Sequence, residues 1–242
     1  MKNPIYIPFG AAKEYGDYAI NIYTGCPHRC FYCYAPNVLH KTREEFHGHV
    51  EPREGIVEAV KQQLEKERIT DKLIHLCFTC DPYPTGYDNM ATREIIKLLK
   101  EYGNHIQILT KGDGSRDFDL LDSNDWYGIT YAGYPIGSLF ISSPSEPQAL
   151  AISDRLIAIY HAHKCGIKTW MSIEPVLDAE DVLNFLELNV GYVDRYKIGK
   201  LNYHPSKINW GDFGRRVERI CKAYDMDYYI KDSLRKEMER GI

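Results

Sequence analysis

Apolar positions along this chain follow two alternating periods. Short runs rich in β-branched and aromatic residues are separated by stretches whose apolar positions recur every three to four residues. The runs YAINIY (18–23), LIHLCF (73–78), HIQILT (105–110), SLFIS (138–142), KTWMSI (168–173) and VDRYKI (193–198) predict strands. Between them, Ile56, Val60 and Leu64 line one face of a helix over 55–67. A second helix over 90–101 follows Asn89 as N-cap and stops before Gly103. A third is predicted from Ser145, where Ser145 and Gln148 match a capping box with Pro147 inside the first turn. Ala149, Ile152, Leu156 and Ile159 form its apolar face and Gly166 its end. Asp178 caps a further helix carrying Val182, Phe185 and Leu186, and another runs over 212–224. MDYYI then adds a strand and KDSLRKEMER a last helix.

Six strand-then-helix units imply a parallel sheet with right-handed crossovers. A doubly wound sheet and an open or closed barrel both satisfy that pattern. With 242 residues and 44% hydrophobic content the chain can bury a sizeable core. No repeat or linker interrupts it, so one domain over 1–242 is expected, with a core over about 17–200 and a C-terminal extension over 201–242. The net charge of −4 carries no global basic field of the kind that marks a general nucleic-acid binder. Seven cysteines, an odd number, suit reduced thiols and metal ligation better than a disulfide scaffold. The N-terminus lacks the apolar run of a signal peptide, and no stretch reaches the length of a membrane span. These features together predict a soluble, cytoplasmic protein.

Three of the cysteines stand together in YTGCPHRCFYCYAP (23–36): Cys26, Cys30 and Cys33. Composition alone gives roughly 0.006 chance occurrences of that spacing. The cluster follows the first strand, where a parallel α/β fold places its active-site loops. Two metal readings are open from the residues. A zinc site could take His28 as a fourth ligand, although structural zinc usually draws on two separate knuckles. A [4Fe–4S] cube normally takes four thiolates, so three leave one iron free to bind a small molecule.

The spacing CxxxCxxC, with Tyr32 before the last cysteine, resembles the signature of the radical S-adenosylmethionine (SAM) superfamily. Further segments resemble its spore photoproduct lyase-like group. They are CPHRCFYCYAP, TCDPYP (79–84) followed by ATREIIKLL, ILTKGDGSRDFDLL (108–121), and the stretch from ISSPSEPQAL to MSIEPVLD. The likeness covers roughly residues 17–200. It implies a partial (β/α)6 TIM-like barrel and a [4Fe–4S] cluster on Cys26, Cys30 and Cys33. It also implies SAM bound to the open iron, whose one-electron cleavage yields a 5′-deoxyadenosyl radical that abstracts hydrogen from a substrate. A reductant such as flavodoxin or ferredoxin would supply the electron. The substrate is left open between a nucleobase or DNA lesion and a small molecule, with no membrane partner. The chain departs from the lyase itself at several places: Phe78 stands where that enzyme has a hydrogen-returning cysteine, Cys80 falls where a serine contacts SAM, and the tail differs.

Several polar residues fall at predicted strand ends, the catalytic face of a barrel. The resemblance makes Tyr32, Cys80, Asp81, Lys111 and Ser142 contacts to SAM, and Cys80, Lys111 and Glu174 catalytic groups. Plainer roles compete with each. Asp81 before Pro82 forms turns, Cys80 can be a buried thiol, and Ser142 and Ser143 suit a helix entry. Glu174 and Lys197 could form one buried ion pair. His40, His47 and His49 lie on a polar stretch and are expected in solvent, while Cys165 and Cys221 are expected in packing. A redox carrier that never cleaves SAM and a zinc-stabilised nucleic-acid-binding module are the other function classes.

Overall fold

The computed structural model describes residues 3–134 and 143–240. β1 (Ile5–Tyr6) runs antiparallel to β2 (Tyr18–Ile20). Six strands then join in parallel, each beside its predecessor: β3 (Leu73–Leu76), β4 (His105–Thr110), β5 (Trp126–Thr130), β6 (Lys168–Ile173), β7 (Arg195–Ile198) and β8 (Tyr228–Ile230). Spatial order equal to sequence order is the signature of a barrel wound in one direction, with no switch point. The sheet does not close: β8 pairs with β7 alone among the described residues.

Short helices α1 (Ala35–Val38) and α2 (Arg43–Gly48) follow β2. α3 (Ile56–Glu67), α4 (Met90–Glu101), α5 (Ile152–Lys164), α6 (Ala179–Glu187), α7 (Trp210–Ala223) and α8 (Asp232–Arg240) complete the helices. Local sequence explains their starts. Thr42 and Glu45 close a capping box on α2, and Asp178 and Asn209 accept the third amide of α6 and α7.

Strand register sorts the side chains into two faces. Ile20, Ile74, Leu76, Ile106, Ile108, Tyr127, Ile129, Met171, Ile173, Tyr196, Ile198 and Ile230 share the parity that meets the helices, and all are buried. The opposite parity carries Ala19, His75, Gln107, Gly128, Trp170, Ser172, Lys197 and Tyr229. A parallel strand covered on both sides normally reads as continuously apolar. The polar and aromatic second set therefore marks a lumen with work other than packing.

The open edge is bridged by the N-terminal segment. A 3-10 turn, Gly10–Glu14, and Tyr15 reach across to the last strands. Lys197 donates to the Glu14 carbonyl at 2.9 Å, while Tyr229 Oη and the Asp232 amide donate to the Glu14 carboxylate at 3.2 and 2.9 Å.

Several sequence expectations need correction. The fourth parallel strand is β5 at 126–130, which the sequence pattern missed, and the predicted strand at 138–142 lies outside the described residues. The third helix begins at Ile152 rather than at Ser145. The Ser145–Gln148 pair makes other bonds: the Ser145 carbonyl accepts from Phe31 N and the Gln148 amide donates to His28 O. Asn89 occupies the cap position of α4 without a side-chain bond, and Asp88 Oδ1 accepts from Met90 N instead. MDYYI and the terminal segment do form β8 and α8.

Candidate active site

The cysteine loop leaves β2 at its C-terminal end and is held from three sides. On the α2 side, the Cys26 amide donates to Phe46 O (3.3 Å), His47 Nδ1 donates to Cys26 O (2.7 Å) and Arg43 donates to Cys30 O. Gly25 is required here, because a Cβ would lie 2.1 Å from the Phe46 carbonyl oxygen. On the opposite side, residues 145–148 bond Phe31 and His28 as described. From beneath, Asp81 collects donors from three segments. Oδ1 accepts from Tyr83 N (2.9 Å) and Thr110 Oγ1 (2.5 Å). Oδ2 accepts from Lys111 N (2.9 Å) and faces His28 Nδ1 at 3.4 Å. Thr85 N donates to His28 Nε2 (3.2 Å), so the ring proton sits on Nδ1 toward Asp81. Burial lowers the His28 pKa, which keeps the ring neutral in that tautomer.

With both nitrogens engaged, His28 does not complete a Cys3His zinc site. Among the described residues no three His, Cys, Asp or Glu side chains converge so as to hold a single metal ion. Zinc needs its ligands gathered about 2.3 Å from one point, whereas a cube spreads thiolates over separate irons. All three cysteines are free, and burial is the main cause that pushes each up, Cys30 to about 12. Thiolates in such surroundings require a cationic centre against them.

Lys111, immediately after β4, places its Nζ 5.6 Å from the centre of the Tyr32 ring. Burial opposes its charge, but Cys30 and Glu146 hold its pKa above the ordinary lysine value. Tyr32 Oη donates to Glu146 Oε1. Cys80 Sγ accepts from Tyr23 N at 3.4 Å, at the edge of the apolar core. Glu174, just past β6, does not pair with Lys197. Its partners are Lys231 by ion pair, Tyr15 Oη (3.2 Å) and Asn202 Nδ2 (3.0 Å). Ser142 lies outside the described residues; Ser143 is buried, its Oγ accepting from Ser145 N. His47, expected in solvent, is 3% exposed because its ring supports the Cys26 carbonyl. His40 and His49 are exposed as expected, Cys221 is buried, and Cys165 is exposed rather than packed.

Tyr15 sits in the lumen, which its place in an aperiodic N-terminal segment gave no means of predicting. Its ring meets His75, Phe78 and Trp170 at 5.5–5.9 Å and lies under the ammonium groups of Lys197 (4.9 Å) and Lys231 (4.7 Å). Phe78 stacks on His75 at 4.3 Å. Burial lowers Lys197 to about 8 and His75 to about 3. The mouth above carries exposed aromatics: Phe31, Tyr34 and Tyr203, with His204 against Phe31 at 5.2 Å.

An open, mostly parallel barrel with a three-cysteine loop at the C-terminal end of its first parallel strand defines a class of enzyme, and comparison with known proteins agrees. The Radical SAM superfamily model matches residues 20–178, and the chain belongs to that superfamily. Its members are enzymes that use an iron–sulfur cluster and SAM. The chain is 28% identical over 211 residues to "Uncharacterized protein MJ0683" of Methanocaldococcus jannaschii, covering 85% of this chain and 76% of that protein. It is 28% identical over 195 residues to "Uncharacterized protein ORF301" of Acidianus two-tailed virus, covering 74% and 64%. In fold it is similar to spore photoproduct lyase complexed with dinucleoside spore photoproduct: TM-score 0.67, 12% identity, covering 93% of this chain and 79% of that one. Streptococcus suis SuiB bound to precursor peptide SuiA gives TM-score 0.64 at 11% identity, covering 93% and 51%. Among the described residues no helix is long and apolar enough to cross a membrane.

Proposed function

We propose that Cys26, Cys30 and Cys33 hold a [4Fe–4S] cluster with one iron left for SAM, and that Tyr32 and Lys111 seat the cofactor. When bound, cluster and SAM together supply a carbon-centred radical that abstracts hydrogen from a substrate C–H bond. The observation that carries this reading is the loop itself: three free cysteines, Cys30 buried and Cys26 and Cys33 half-buried, whose pKa values burial raises, held from three sides, with the one internal histidine already committed to Asp81 and Thr85. That commitment leaves no fourth ligand within the loop, which favours SAM chemistry over a plain electron carrier. Lys111 presents a cation where the SAM carboxylate would lie. Asp81 acts beneath the site, tying His28, Thr110 and Lys111 in register. Tyr15, Phe78 and Trp170 line the lumen, excluding water from a reactive radical.

The proposed substrate is a nucleobase, free or within a nucleic acid. The exposed rings of Phe31, Tyr34 and Tyr203 at the mouth supply stacking faces for one, and the lyase of similar fold was solved with a dinucleoside. The Phe78 ring offers no thiol to return a hydrogen atom, so the outcome proposed here is base modification rather than lesion reversal. A cytoplasmic location and a flavodoxin- or ferredoxin-type reductant belong to the same reading.

The test is anaerobic reconstitution followed by SAM and dithionite. Four irons per chain, absorbance near 400 nm and release of 5′-deoxyadenosine are expected, and C30A loses all three. Deuterated nucleosides and oligonucleotides then locate the substrate by transfer of label into 5′-deoxyadenosine. Wild-type protein that takes up no iron, or C30A that still cleaves SAM, would sink the proposal.

A further inference from the structure

Behind the cysteine loop lies a fully buried ion pair. Glu146 is 0% exposed and Arg155, on the first turn of α5, 1%. Arg155 Nη2 donates to Glu146 Oε2 at 2.6 Å, and its other nitrogens donate to Thr130 O (3.2 Å) and Leu150 O (3.0 Å). The guanidinium thus ties the end of β5 to the entry of α5. The carboxylate is shared: Tyr134 Oη donates to Oε2 (2.7 Å) and Tyr32 Oη to Oε1. Burial pushes the Glu146 carboxyl up, yet Arg155, Lys111 and the two phenols outweigh it and hold it ionised.

An ion pair this deep gives a fold little net stability, because desolvation offsets most of the attraction. Its geometry points to another use. One oxygen serves the pair, and the other reaches the residue between two of the three cysteines. Glu146 is therefore a single negative charge paired with Arg155 and within electrostatic reach of Lys111, which in turn feels Cys30.

We propose that Glu146, held by Arg155, is a positioning residue for the cofactor site. It fixes the Tyr32 ring against which SAM is seated, and its charge lowers the reduction potential of the cluster on the adjacent loop. This inference rests on the assignment of the cluster to Cys26, Cys30 and Cys33. Removing a negative charge near a cluster favours the reduced, more negative state, so the potential rises. Removing the positive charge of Arg155 as well returns the local charge to its starting value.

The experiment uses the reconstituted holoenzyme. E146Q, E146Q/R155M and Y32F are compared with wild type for iron content, for cluster midpoint by a titration followed by electron paramagnetic resonance, and for KM and kcat of SAM cleavage. E146Q is expected to keep its iron and shift the midpoint upward. E146Q/R155M, which leaves no unpaired buried charge and folds where E146Q alone fails, is expected to shift back toward wild type. Y32F should raise KM for SAM by about tenfold, the worth of one charge-assisted hydrogen bond, with kcat nearly unchanged. A merely structural pair would leave the midpoint alone and make the double variant the worse of the two. An E146Q midpoint equal to wild type, a double variant displaced further than a folded E146Q, or a Y32F KM equal to wild type overturns the inference. Absence of iron from wild type overturns the cluster assignment as well, whereas iron with unmoved midpoints overturns this inference alone.

Discussion

Asp81 is the residue whose loss the structure evaluates most directly. Four donors from three segments converge on its two oxygens: Tyr83 N, Thr110 Oγ1, Lys111 N and His28 Nδ1. Asp81→Asn keeps the volume and replaces one acceptor by an NH2 group. If the amide nitrogen takes the Oδ2 place, it meets the Lys111 and His28 N–H groups head on. His28 cannot relieve the conflict by moving its proton to Nε2, because Thr85 N already donates there. In the other orientation Tyr83 N loses its acceptor instead. A buried donor left unpaired costs about 1–3 kcal/mol, and with one strong and one longer bond lost the total is about 3 kcal/mol. For a chain of this size that lowers the melting temperature by about 6–12 °C. Thermal melts under anaerobic conditions, with iron assayed on the same samples, should show the drop together with loss of iron. Asp119→Asn is the control, since Asp119 makes an exposed pair with Arg93, and it should melt like wild type. If D81N and D119N both melt with wild type and keep their iron, Asp81 does not hold the loop in place.

Two further outcomes follow from the geometry. G25A sets a methyl group against the Phe46 carbonyl oxygen and should displace the cysteine loop from α2, giving protein that folds but retains less than half its iron. Lys197, lowered by burial to about 8 from its ordinary value near 10.5, binds fewer protons folded than unfolded between those pH values. Wild type should therefore gain stability relative to K197M as pH rises from 8 to 10.5, read by denaturant melts at each pH, and a parallel pair of profiles would refute it.

How much the sequence reveals varies from element to element. Strands β3, β4 and β6 were legible because their outward residues are large and aliphatic, mostly isoleucine, and their boundaries are sharp. β5 was not, since Gly128 breaks its pattern. That glycine is needed because a Cβ there would fall 2.2 Å from the Trp170 indole nitrogen, and the contact joins residues far apart in sequence. The Ser145–Gln148 pair has the residue types of a helix cap, but both backbones are bound to the cysteine loop, a tertiary demand that overrides local propensity. Within the candidate site the cysteines stood out by spacing, and Tyr32 and Lys111 by the family resemblance. Glu146 and Arg155 did not, because charged side chains read as surface until a partner is known. Glu174 was legible as a lumen residue, while its true partner, Lys231, follows a strand, β8, that the six-unit pattern treated as an appendage.

The bridge made by Glu14 also bears on how the molecule assembles. Its carboxylate waits for a phenol 215 positions and an amide 218 positions downstream. During synthesis this early segment is thus among the last to find its place, since β8 and the start of α8 must exist before the lumen is sealed. Until then Tyr15 lacks Lys231 above its ring, and the chamber around it stands open to water and oxygen. A nascent chain of this design should gain most of its helices early and its protected interior only at the end.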